Sequence, residues 1–342
     1  MTNEQTGITG ESAGTANLVS WHDVQSPSPR PRGPGVDAPR VKIPVERLKP
    51  EAVIETGGCP DWLETVDGDG SVWVTDSLNN RIIRLDAKTN TIAAIIPVGK
   101  NPSSGLAAGF GSLWVPICDY DVLSRIDLKT NEITATFAAG WSNWEASIAT
   151  GAGSVWLMTD SKGTLSRFDP ASNDWIAKIH LPTGSYGLTF GEDALWVTSS
   201  DYGTVARVDP STNAVAATIP VGPSPRYVAA GEGAIWVLDQ GDGRVSRIDP
   251  RTNTVVATIE LGFAAGFNEI TVGAGSVWVS EFAYYPLTRI DPSTNEVVQQ
   301  FYGTSGIGTA MKVGHGSLWV SCERDGNVWR LDPKRVAATL PE

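Results

Sequence analysis

A segment of the form Gly-X-Gly-Ser-aliphatic-Trp recurs seven times with variations, placing tryptophans at Trp73, Trp114, Trp156, Trp196, Trp236, Trp278 and Trp319. The intervals are 41, 42, 40, 40, 42 and 41 residues. A period this even marks one supersecondary unit used over and over, and it constrains the fold more than any other feature of the chain. About nine to ten residues after each tryptophan comes a second apolar stretch ending in Arg-aliphatic-Asp, as in RLDAKTN, RVDPSTN and RIDPRTN. A third stretch follows, such as TIAAIIPVG (91–99) or TVVATIELG (254–262), and a short one precedes each tryptophan, such as YVAAG (227–231).

The connecting residues fit a β-meander. In Asp-Pro-Ser-Thr-Asn the aspartate can accept from a backbone N–H two residues on, proline presets φ, and asparagine tolerates a left-handed conformation. The Gly-X-Gly turns supply positive φ for a tight hairpin. Each repeat therefore reads as four antiparallel strands, A to D, with no competing helical period. A lone four-stranded sheet leaves both faces bare, whereas seven packed radially cover one another. The expected fold is all-β, a seven-bladed β-propeller, with the repeated indoles between neighbouring blades. Residues 51–58 (EAVIETGG) stand where a D strand stands before every other A strand. They are expected to close the ring as the outer strand of the last blade; the alternative is that Val336–Leu340 does so.

The 342 residues form one ring rather than two domains: a flexible Pro/Gly/Ser-rich arm over 1–40, with SPSPRPRGPG at 26–35, and a propeller over 41–342. Residues 1–50 carry +1 and the remainder −13 of the net −12. An acidic ring offers no footprint for phosphate backbones or anionic membranes, so neither nucleic acid nor membrane is an expected partner. No secretory signal or spanning segment is visible, and a cytoplasmic location is expected.

The pattern Trp-Val…Arg-Ile-Asp-Pro-X-Thr-Asn-X-Val-Val-Ala-Thr-Ile-Pro-Val-Gly, over about 51–342, resembles the YVTN-type propeller repeat and, more broadly, the streptogramin (virginiamycin B) lyase-like propellers. That resemblance implies a β-elimination that linearises a cyclic depsipeptide, with a histidine base and a magnesium ion near the channel mouth. Here the three histidines fall elsewhere: His22 in the arm, His180 in an outer strand and His315 in an A–B turn. The streptogramin reaction itself is therefore not expected.

In a propeller the D–A and B–C connections share one face. On it, or at its edge, fall all seven tyrosines, among them Tyr186, Tyr227 and Tyr284, together with Trp62, Trp141, Trp144 and Phe267. Aromatic rings with polar tips on one face suit a small molecule or peptide. Alignment on Gly-X-Gly gives two columns. One, at the start of strand A, reads Glu64, Gly105, Ser147, Gly187, Tyr227, Glu269, Ala310; the other, at the end of strand B, reads Asp76, Ile117, Thr159, Ser199, Asp239, Glu281, Cys322. The five carboxylates are expected to converge on one mouth, with Glu145 and Asp160 nearby. Glu64, Asp76, Asp239 and Glu269 are candidate ligands for Ca²⁺, Mg²⁺ or Mn²⁺. Alternatively Glu64, Glu269, Glu281, Asp239 and Tyr227 act in acid–base catalysis, or the carboxylates separately cap loop amides. Arg226, Lys100 and Arg324 are candidate anchors for a substrate carboxylate. Cys59, Cys118 and Cys322 map to neighbouring blades of the same face, but no histidine stands by to activate a thiol. Two functions follow: a lyase or hydrolase acting on a small cyclic or ester-like molecule at this mouth, or a non-catalytic propeller binding a small ligand, peptide or partner protein there.

Overall fold

The computed structural model describes residues 39–102, 105–140, 147–263, 269–281, 285–303, 308 and 310–341. Within them lie seven antiparallel sheets, spanning 60–97, 107–138, 148–180, 185–220, 225–260, 270–302 and 311–331, here blades 1 to 7. Each inner strand touches that of the next blade, and blade 7 touches blade 1, so the ring is closed. Its latch is the expected one: Ala52–Glu55 pairs antiparallel with Asn327–Leu331, Val53 opposite Trp329. The alternative segment is not a strand: a short helix, Pro333–Ala337, capped by the Asp332 side chain, takes up its first two residues. A second N-terminal strand, Lys42–Pro44, adds in parallel to the outer edge of blade 6; no repeat signal announced it.

All seven repeat tryptophans are fully buried. Each removes about 150–250 Å² of aromatic surface from water, several kcal/mol at about 25 cal/mol per Å². The repeat arginine stacks over the tryptophan of its own blade, as Arg167 does at 4.7 Å from the Trp156 ring. It also reaches the C–D turn asparagine of the next blade: Arg84 to Asn131, Arg125 to Asn173, Arg167 to Asn213, Arg207 to Asn253 and Arg247 to Asn295. Arg330 bonds Asn90, carrying the series from blade 7 to blade 1. Blade 7 lacks the Thr-Asn turn, and Arg289 of blade 6 turns to Gln299 instead.

The turns obey the sequence. Asp86 accepts from the Lys88 and Thr89 amides, and Asn90, Asn131, Asn173, Asn213, Asn253 and Asn295 are left-handed. Six A–B hairpins have two-residue turns with positive φ at both positions, such as Phe110–Gly111 and Glu192–Asp193, the conformation that matches strand twist. Blade 1 departs: Val66 pairs with Ser71 across a four-residue turn, 67–70. The difference resets the register of everything above it.

Candidate functional site

A cavity of about 360 Å³ runs down the propeller axis, lined by the inner strands of all seven blades. Pairing with strand B fixes the level of each inner residue. Glu64 lies opposite Trp73, as Ala107 lies opposite Trp114, Ala229 opposite Trp236, and Lys312 opposite Trp319. Equal distance from the tryptophan had grouped Glu64 with Glu269. The longer turn of blade 1 moves it two residues deeper, level with Lys312. The upper level is marked independently: the amides of Trp62, Gly187, Glu269 and Ala310 each donate to a strand-B hydroxyl, those of Thr75, Thr198, Ser280 and Ser321.

Side chains at these levels reach toward the following blade. Glu269 of blade 6 accepts the Met311 amide of blade 7 at 2.6 Å. Lys312 of blade 7 bonds Glu64 of blade 1 at 3.0 Å, with the lysine side chain 37% and the glutamate 13% exposed. The other Glu64 oxygen accepts the Thr65 amide. Burial works against the Lys312 ammonium, but the carboxylates of Glu64 and Glu269 outweigh it and hold its pKa above that of an ordinary lysine. Lys312 is thus a permanent cation flanked by two acids. Sequence reasoning missed it, because its column appears only once the register of blade 1 is known. The facing arc, from blades 2 to 5, is lined by uncharged residues, several of them small, such as Gly105, Ala107, Ala149 and Gly187.

Above this wall stand the aromatics. Trp62 of blade 1 meets Tyr227 of blade 5 with ring centroids 5.9 Å apart. The two blades are not neighbours in the ring, so the contact bridges the channel. Tyr186 packs edge-on to Tyr227 at 5.8 Å, and Arg226 lies over the Tyr186 ring at 4.4 Å while donating to its hydroxyl at 2.7 Å. The three rings reach the mouth by one device. The inner strands of blades 1, 4 and 5 each carry a bulge of one extra residue, between Pro60 and Leu63, Ser185 and Leu188, and Pro225 and Tyr227. A bulge re-aims the residues it carries. Tyr285 lies elsewhere, stacked on Phe263 at 5.2 Å and bonded by Lys42. Trp141, Trp144, Glu145, Phe267 and Tyr284 lie outside the described residues.

The second column does not converge on the channel. Asp76 and Asp239 are 0% exposed and Glu281 is buried; none of them lines the cavity. They cap loops. Asp76 accepts from the Cys59 amide (3.0 Å), the Asn79 amide and side chain, and Arg81 (2.7 Å). Burial alone would raise its pKa, but these bonds hold it below the ordinary carboxylate range. Glu281 accepts the Tyr285 amide, and Asp160 the Lys162 and Thr164 amides. At the ends of strand B the carboxylates meet loop amides rather than solvent, from the D–A side at Cys59 and from the B–C loops at Asn79, Lys162, Thr164 and Tyr285. The cysteines offer no nucleophile at Cys59 or Cys322. Cys59 donates to Glu323 at 2.9 Å, and burial together with that carboxylate pushes its thiol up to about 12; burial likewise raises Cys322.

A divalent cation does not fit this donor set. Both Glu64 oxygens are engaged and the Lys312 ammonium stands beside them, while Asp76 is fully committed to its corner. Among the described residues, no three His, Cys, Asp or Glu side chains gather to hold a metal. His180 is exposed at the end of an outer strand, and His315 sits in the A–B turn of blade 7 with Nε2 3.0 Å from the Ser71 carbonyl.

No family model matches the chain, and no curated protein matches it. Solved structures do. A streptogramin B lyase structure superposes with a TM-score of 0.69 at 18% identity, covering 82% of this chain and 97% of that one. Virginiamycin B lyase from Staphylococcus aureus gives 0.68 at 20% identity, covering 82% and 98%. Its catalytically inactive histidine-to-alanine variant with quinupristin gives 0.70 at 17%, covering 82% and 99%. At such identities the likeness establishes the fold: the chain is built as a virginiamycin B lyase-like propeller.

Proposed function

We propose that the protein is a lyase-like enzyme that eliminates a leaving group β to a carbonyl in a small molecule held at the channel mouth. The observation that carries this reading is the Glu269–Lys312–Glu64 arc on the wall of the axial cavity. Kinship of fold with streptogramin B and virginiamycin B lyases supports the reaction class. The chemistry needs a proton acceptor and a group that stabilises charge developing on the carbonyl oxygen. Glu269 takes the proton α to the carbonyl, the β C–O bond breaks, and the leaving group departs as a carboxylate. Lys312, kept charged by its two acids, stabilises the enolate-like oxygen, and Glu64 holds Lys312 in place. Trp62 and Tyr227 cover the reacting centre and limit access of water. In this scheme a lysine ammonium supplies the positive charge, and no metal step is invoked.

The test is mass spectrometry of cyclic and linear esters incubated with the full chain, quinupristin among them. Elimination opens a cyclic ester at unchanged mass, whereas hydrolysis adds one water. Ring opening at unchanged mass is the expected result. Hydrolysis products alone, or no conversion of any ester, contradict the proposal.

A further inference from the structure

The end of strand B in blade 5 carries a titratable group that the reaction above does not use. Asp239 lies directly opposite Pro225, and Tyr227 opposite Leu238, so Arg226 is the extra residue of the bulge between them. Asp239 Oδ2 is bonded by the Ser246 hydroxyl at 2.6 Å, and the Gly222 amide also donates to the carboxyl. A Cβ at Gly222 would stand 2.5 Å from Oδ2, so loop and carboxyl are in close contact. Oδ1 is buried and has no hydrogen-bond partner. The nearby Arg244 does not neutralise it: its guanidinium bonds Glu260 at 2.6 Å and Asp242 at 3.0 Å. A buried carboxylate without a counter-ion is costly, and a neutral acid in the same place is not.

We propose that Asp239 is the positioning residue of the channel mouth: uncharged, it stays dry beneath loop 222–225, which keeps Arg226 and Tyr227 seated against Trp62, and ionised, it draws in water that lifts the loop and frees them. Other contacts fix the same segment from blade 4, where Ser200 bonds the Pro225 carbonyl and Thr198 that of Arg226. Asp239 is therefore the adjustable member of an otherwise static clamp. Burial dominates and raises its pKa, Asp242 adds like charge, and Ser246, Gly222 and Arg244 act the other way, leaving it at about 8. Glu260 bears on Asp242, and Arg244 opposes it. The mouth is thus ordered below about pH 8 and loosened above it.

The inference rests on the channel mouth as the working site, but its test needs no substrate. Full-length protein labelled with 5-fluorotryptophan reports on Trp62, whose ¹⁹F resonance is assigned by its loss in Trp62→Phe. The expected result is a Trp62 resonance that titrates with a midpoint near pH 8 and becomes pH-independent in Asp239→Asn. In Asp242→Asn, where one like charge is gone, the midpoint moves to lower pH. A resonance that stays fixed from about pH 6 to 10, or that titrates unchanged in Asp239→Asn, overturns the proposal. Should Asp239→Asn fail to fold, an unmoved midpoint in Asp242→Asn does so. A titrating Trp62 in a protein that converts no ester removes the catalytic reading and leaves this one standing.

Discussion

The corners of blades 1 and 5 occupy the same place in the repeat and carry the same two residues: an aspartate at the end of strand B and an arginine five positions on, Asp76 with Arg81 and Asp239 with Arg244. In blade 1 they form an ion pair. In blade 5 they do not, because two neighbouring positions differ. Where blade 1 has Asn79, which donates to Asp76, blade 5 has Asp242. Where blade 1 has Pro97 opposite Arg81, blade 5 has Glu260 opposite Arg244. The added carboxylates take the arginine and leave Asp239 alone with a serine and an amide. One repeat scaffold thus builds a permanent charge in one corner and a titratable acid in the other.

The largest effect is expected at Asp76. Asp76→Ala leaves Arg81 without its acid and removes the acceptor for the Cys59 and Asn79 amides. A loss of about 3–5 kcal/mol is expected, read by urea unfolding at neutral pH; a loss below about 1 kcal/mol contradicts the ion-paired corner. A smaller effect of opposite pH sense is expected at Asp239. Its folded pKa is raised, so between about pH 4 and 8 the folded state holds a proton that the unfolded state has released, and stability falls as pH rises through that window and levels off above it. Asp76, with a lowered folded pKa, contributes stability above the ordinary carboxylate range and loses it as pH falls. Asp239→Asn should flatten the alkaline limb and leave the acid limb in place, measured as the denaturation midpoint against pH. Identical profiles for wild type and variant contradict a neutral Asp239.

The fold was legible because its signal is redundant: tryptophan, arginine and asparagine recur at one period, and each is used the same way in nearly every blade. The latch by residues 52–55 was legible for the same reason. The site was only partly so. Trp62, Tyr186, Tyr227 and Arg226 do assemble at the mouth, as loops on a rigid scaffold tend to carry function. The acidic columns misled, since Gly68 of blade 1 matches Gly109 in sequence yet lies inside a longer turn, with φ +94°, whereas Gly109 ends its strand. A two-residue difference in turn length is enough to put Glu64 beside Lys312 rather than beside Glu269. Asp76, Asp239 and Glu281 misled for another reason: the end of strand B is covered by adjoining loops that supply donors to its carboxylates, and coverage of that kind depends on three-dimensional closure. The strand Lys42–Pro44 has no repeat counterpart and left no periodic trace.

The working charge of the proposed site is the Lys312 ammonium, bonded to Glu64 and acted on by Glu269. The most direct test is the turnover of an ester substrate by Lys312→Met beside wild type. A fall in kcat/KM of about 10²-fold or more is expected, with the fold retained by circular dichroism. Turnover within a few-fold of wild type would contradict it.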